Sequence, residues 1–186
     1  MCQVIGIYHT IKKNKCSTKS RDCFNIKQLN NVYKGFIVDK FFEDLKVGEV
    51  YESVTETLSQ DDIIGFAKQF DPQPMHTDPE GAKNSLFGQL VGSGWQSLSS
   101  TIRLLVEAKP FGETPLIGVN VDNVRFWKPL LPGATLQAFM EIEELVPSSK
   151  PERGYVLVKV TTKADGEVIV TQNWRMLIPT KSHLKK

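Results

Sequence analysis

The feature that most limits the fold is a change of period near Lys109-Pro110. Before it, Ser93 to Ala108 carries Trp95, Leu98, Ile102, Leu105 and Val106 on one helical stripe, long enough for a helix of about 24 Å at 1.5 Å per residue. After Gly112 the apolar residues alternate. Pro115 to Trp127 predicts a strand with Ile117, Val119 and Val121 inward and a bulge at Asp122-Asn123. Leu136, Ala138, Met140 and Ile142 predict the next strand, and Pro147 to Gly154 a polar loop. Tyr155 to Thr162 and Val168 to Ile178 predict a hairpin closed by Asp165-Gly166. One long helix and a run of antiparallel strands make an α+β domain in which the Trp95–Val106 stripe is expected to be buried on the sheet.

Upstream, the domain is predicted to run over residues 39–180, entered through the turn-rich Phe42-Glu43-Asp44 and a short strand from Val50 to Thr57. Ser59 with Asp62 three residues on predicts a capped helix start, and Ile63, Phe66, Ala67 and Phe70 share one face. Asp78-Pro79 predicts a second, short helix running to about Leu86. Between the two helices lies Phe70-Asp71-Pro72-Gln73-Pro74-Met75-His76-Thr77-Asp78, a loop stiffened by two prolines that holds one of only three histidines.

At 186 residues with a net charge of +2, the chain can bury a sizeable core and gives no electrostatic reason to bind nucleic acid or an anionic membrane. Cys2, Cys16 and Cys23 sit near the N-terminus in no zinc pattern, which argues for a reducing compartment, and no apolar run reaches the roughly 20 residues of a membrane span. A soluble, cytoplasmic protein is expected. Residues 1–38 are basic and polar, with Lys12, Lys13, Lys15, Lys19 and Arg21 against the acid Asp22 alone, and are expected to be a disordered extension. Organelle targeting is the open alternative, although lysine stands where arginine would dominate. Residues 181–186 read as a solvated basic tail.

A carboxylate and an imidazole that share one water form a general acid/base pair, and Asp71 and His76 are placed to do so across Pro72 and Pro74. Gly92-Ser93-Gly94 opens the long helix, where free backbone N–H groups favour a developing negative charge. Together these suit addition of water to a polarised C=C bond. Asp78 reads as a helix cap, and a metal site from Asp71, His76 and Asp78 lacks a second histidine or a cysteine, so no metal is expected. His9 and His183 lie in polar ends and carry no signal.

The run Asp71-x-x-Pro74-x-His76-x-Asp78, followed by Phe87-Gly88, Ser93-Gly94-Trp95 and Phe126-Trp127-Lys128-Pro129-Leu130-Leu131-Pro132-Gly133, resembles the MaoC-like dehydratases, a family of (R)-specific enoyl-CoA hydratases, over roughly Phe41 to Pro179. The resemblance implies a hot-dog fold, an antiparallel sheet wrapped around one long helix. It also implies reversible hydration of a 2-enoyl-CoA thioester, with Asp71 and His76 activating water and the Gly94 N–H binding the thioester oxygen. Ser93, Gln73 and Trp95 join Gly94 as substrate-binding candidates, though the spacing of Trp95 alone argues for core. Gln73 stands where that family usually has Asn. No cofactor is implied beyond coenzyme A as part of the substrate; an acyl-carrier thioester is the other substrate form. A homodimer or dimer of dimers is expected from Phe139, Tyr155 and Leu157, which lie opposite the main apolar stripe, with active sites near the interface. A hot-dog thioesterase and a non-catalytic acyl-CoA-binding protein are the alternative functions.

Overall fold

The structure, a computed structural model, describes residues 39–182. The expected N-terminal extension lies outside these residues, as do the last four of the tail. Strands β1 (Val50–Glu52), β2 (Glu56–Thr57), β3 (Ile117–Phe126), β4 (Thr135–Pro147), β5 (Arg153–Ala164) and β6 (Glu167–Pro179) form one antiparallel sheet ordered β1-β4-β5-β6-β3, with β2 also on β4. The expected strand from Val50 to Thr57 is thus two short pieces on one partner, separated where Ser53 turns its N–H to the Ala138 carbonyl and donates its hydroxyl to Val54.

Helix α1 (Gln60–Phe70) starts at Ser59, whose hydroxyl accepts from the Asp62 N–H while the Asp62 carboxylate accepts from Ser59. That reciprocal pair satisfies N–H groups that the first turn leaves open. α2 (Pro74–Thr77) is a single turn with proline at its first position. The expected helix from Asp78-Pro79 is only a short 3₁₀ turn, Gly81–Asn84: the Asp78 carboxylate accepts from the Glu80 N–H and its carbonyl from the Ala82 N–H, which closes a turn without continuing. α3 (Gly94–Ala108) is capped by Ser93 and ends at Lys109, in the left-handed region at φ 48 just before Pro110.

The core has the expected sheet face. Leu136, Ala138, Met140 and Ile142 of β4 are buried with Val156, Val158 and Val160 of β5, and Asp165 and Gly166 turn the hairpin with φ of 50 and 83. A sheet laid around one long helix is the hot-dog arrangement.

The helix face it buries is a correction to the expectation. Gln96, Ser97, Ser100, Thr101, Leu104 and Leu105 meet the interior, whereas Trp95 is 67% exposed and Val106 53%. Small residues let the helix sit close to the sheet, and several of the polar groups find partners, whereas the buried Gln96 Oε1 meets none among the described residues. Thr101 donates to the Ser97 carbonyl or shares a hydrogen bond of 2.6 Å with Thr162 of β5, and the Gln96 amide donates to the Asp62 carbonyl. Of the expected stripe, Leu105 is buried as expected and Leu98 packs partly against the core, while Trp95, Ile102 and Val106 face outward.

β3 also departs from the expectation. It is an edge strand, Val119 and Val121 are about half exposed, and its register on β6 shifts at Gly118/Asn120 as well as at the expected bulge, between Asp122 and Arg125 with Asn123 at φ 50. On the outer face, Lys163 lies over the Phe139 ring and Arg175 over Tyr155, so long cationic side chains partly cover those rings. Lys181, at the start of the basic tail, bonds Asp44.

Candidate active site

Pro72 and Pro74 hold the chain between α1 and α2 in a tight course. The Gln73 N–H donates to the Asp71 carbonyl at 2.8 Å, and the Gln73 carbonyl accepts from the His76 N–H at 2.9 Å and the Thr77 hydroxyl at 3.0 Å. Asp71 is the C-terminal cap of α1 and His76 lies in α2, so two helix ends bring carboxylate and imidazole together. His76 Nε2 is 3.5 Å from Asp71 Oδ2.

The rest of the imidazole is fixed from the segment that leads into α3. His76 is 6% exposed, and its Nδ1 lies 2.7 Å from the Val91 carbonyl. A carbonyl only accepts, so Nδ1 carries the hydrogen and a neutral ring presents a lone pair at Nε2. Val91 is held in turn by its N–H on the Met75 carbonyl, and Gly92 by its N–H on Leu130.

Both oxygens of Asp71 are engaged. Oδ2 accepts from the Ser93 hydroxyl at 2.6 Å and Oδ1 from the Gln73 amide at 2.8 Å. Hydrogen bonds from Ser93 first, then Gln73, hold the Asp71 carboxyl below its ordinary range, with His76 adding to the effect and partial burial opposing it. The carboxylate is therefore ionised at neutral pH and still 17% exposed.

Ser93 is wholly buried, and its hydroxyl both donates to Asp71 and accepts from the Trp95 N–H at 3.2 Å. Its place is beside the carboxylate rather than in the cavity. Among the described residues the Gly94 N–H, the first of α3, meets no acceptor. A Cβ at Gly94 would lie 2.8 Å from the Phe126 ring, so glycine is what lets that aromatic edge approach the helix start.

These groups border a cavity of about 1150 Å³. Asp71, Gln73, His76 and Gly94 form its polar end. Much of the remaining wall comes from α3 (Trp95, Leu98, Ile102), one side of β3 (Gly118, Val121, Val124, Phe126), the turn after it and Gln172, Trp174 and Met176 of β6. Trp95 is thus a cavity wall and not core. Asp78 turns its carboxylate to Glu80 and stays out of the cavity. Sequence reasoning missed Val91, which acts through a carbonyl and leaves no trace in residue type. It also missed Gln172, which did leave one: a polar residue at an inward position of β6 between Val170 and Trp174.

Comparison with known proteins agrees with the fold. Residues 43–164 match the MaoC like domain. Uncharacterized protein YdeM of Bacillus subtilis is 31% identical over 128 residues, covering 69% of this chain and 90% of its own. The 3-hydroxybutyryl-CoA dehydratase of Methylorubrum extorquens is 25% identical over 142 residues, 76% of this chain and 85% of that one. The crystal structure of the MaoC-like dehydratase from Rhodospirillum rubrum superposes with a TM-score of 0.72 at 33% identity, covering 76% of this chain and 98% of that one. On fold and sequence alike, the chain belongs to the MaoC-like dehydratase family.

Proposed function

We propose that the protein reversibly hydrates a 2-enoyl thioester of coenzyme A, or of an acyl carrier, with Asp71 and His76 as the acid/base pair. The observation that carries this reading is the 3.5 Å separation of Asp71 Oδ2 and His76 Nε2 at one end of a largely apolar cavity. That distance is at the limit of a direct hydrogen bond, and one water can lie within bonding distance of both atoms. His76 Nε2 orients the water through its lone pair. Asp71 takes one of its protons as the oxygen bonds to Cβ, and the C=C electron pair moves through the carbonyl to the thioester oxygen. The Gly94 N–H stabilises that oxygen, with the N-terminal end of α3 behind it. The pair then returns the proton to Cα and ends as it began.

Family membership supports hydration or dehydration in general, and the M. extorquens relative carries the dehydratase name for a CoA thioester. The sheet supports a second copy of the chain as partner. β3 is an edge strand of ten residues with Val119, Val121 and Phe126 about half exposed, and the cavity borders it. A second copy pairing along β3 would satisfy the open backbone edge and cover these side chains, giving a homodimer with its sites beside the interface.

Incubation with crotonyl-CoA, followed by absorbance of the conjugated enoyl thioester and free thiol in parallel, tests the function. Loss of enoyl absorbance without thiol release is expected. Thiol release would show a thioesterase, and tight binding with neither change a binding protein.

A further inference from the structure

β6 places one polar residue where the alternation of the strand calls for an apolar one. Gln172 faces inward between Val170 and Trp174 and is 3% exposed. Its carboxamide orientation is fixed by chemistry: the Trp174 indole N–H can only donate, and it lies 2.8 Å from Gln172 Oε1. The other end of the amide, Nε2 with two hydrogens, is buried and meets no acceptor among the described residues. A buried donor left unmatched is costly, and native interiors seldom keep one without a use.

The surroundings show what that donor faces. Gln172 lines the cavity between the strand pairings Asp122↔Asn173 and Arg125↔Thr171, opposite the bulge of β3. Its neighbours on the cavity wall are apolar: Val121, Val124, Trp174 and Met176. Lys128 also borders the cavity, but Glu167 neutralises it at 2.6 Å. A carboxylate of the ligand at Gln172 would therefore be buried against an amide with no unpaired cation on the cavity wall among the described residues, which is unfavourable, whereas a neutral oxygen matches the donor.

We infer that Gln172 is a specificity residue, and that the acyl chain this protein takes carries a neutral hydrogen-bond acceptor (a hydroxyl, ether or keto oxygen) beyond the reacting double bond. The inference rests on the hydratase reading for where the acyl chain lies. A plain alkyl chain would leave Nε2 unmatched, and sites built to bond a polar group discriminate against ligands that lack it.

The test compares wild type with Gln172→Leu, and with Gln172→Met should the leucine variant fold poorly, on chain-matched substrates. The pairs are 2-hexenoyl-CoA with 4-methoxy-2-butenoyl-CoA, 2-heptenoyl-CoA with 5-methoxy-2-pentenoyl-CoA, and 2-octenoyl-CoA with 6-methoxy-2-hexenoyl-CoA. In each, an ether oxygen replaces one methylene. Dividing the wild-type preference by that of the variant removes intrinsic reactivity. At one oxygen position this quotient should favour the ether by about five- to tenfold in kcat/KM, the size of one neutral hydrogen bond. A quotient within twofold of unity at every position overturns the assignment. If no substrate is hydrated at all, the hydratase reading has failed. The Gln172 claim is then decided by calorimetric affinities of the saturated ether and alkyl CoA thioesters for the same two proteins, with the same fivefold criterion.

Discussion

Ser93→Ala separates the two jobs that one buried hydroxyl performs. It removes the 2.6 Å donor to Asp71 Oδ2 and the acceptor for the Trp95 N–H at the start of α3. Loss of an N-cap costs about 1 kcal/mol, and loss of a hydrogen bond to a charged group about 1.5–3 kcal/mol. Asp71 keeps its bond from Gln73 and some contact with water, so the lower part of that range applies and the sum is about 2–3 kcal/mol. For a domain of this size the melting midpoint should fall by roughly 5–10 °C. Activity should change in a second, separable way. Ser93 is the main cause of the lowered Asp71 pKa, so without it the carboxyl protonates at higher pH and the acid limb of the pH–rate profile moves up. Ser93→Thr keeps the hydroxyl and should hold the acid limb in place. A Ser93→Ala protein whose melting midpoint and acid limb both match wild type would refute this account of Ser93.

Gly94→Ala should lower kcat/KM at least tenfold, because its Cβ would meet the Phe126 ring at 2.8 Å and displace the proposed oxyanion donor; steady-state kinetics would show this. Asp71 is held below the usual carboxylate range, so its hydrogen bonds stabilise the fold above the ordinary Asp pKa and that stability is lost as pH falls through the lowered value; Asp71→Asn should flatten this acid-side loss in a series of denaturant melts. Deleting residues 1–36 should shift the melting midpoint by no more than about 2 °C, given the polar, basic composition of that stretch. Light scattering at micromolar concentration should give twice the chain mass, and Val121→Lys on β3 should reduce it to a single chain mass.

Much of the scaffold was legible because local chemistry and tertiary demand coincide. The Ser59/Asp62 cap, the Asp165-Gly166 turn and the inward run Leu136, Ala138, Met140 and Ile142 each have one good solution. The orientation of α3 was not legible. An apolar stripe reports that a face is kept from water, not what covers it; here Trp95, Leu98 and Ile102 wall a cavity, while serines and threonines let the helix approach the sheet. The same ambiguity placed Val119 and Val121 in the core, whereas both are about half exposed on an edge strand and Val121 borders the cavity. At the site, the meeting of Asp71 and His76 could be anticipated from two prolines and a short spacing. The Val91 carbonyl that fixes the ring could not, since it lies 15 residues away and belongs to the backbone. Gln73 is an intermediate case. Its longer side chain turns back to Asp71 Oδ1 and joins the carboxylate network, which only three-dimensional placement shows.

The central claim, that Asp71 and His76 together add water to an enoyl thioester, is tested most directly by the kcat/KM of Asp71→Asn on crotonyl-CoA. The substitution keeps the shape of the side chain and its ability to accept from Ser93, while removing the base. The account predicts a fall of about 100-fold or more, the typical contribution of a general base, with the melting midpoint at pH 7 lowered by only a few degrees. A folded Asp71→Asn protein that hydrates crotonyl-CoA within a few-fold of wild type would contradict it.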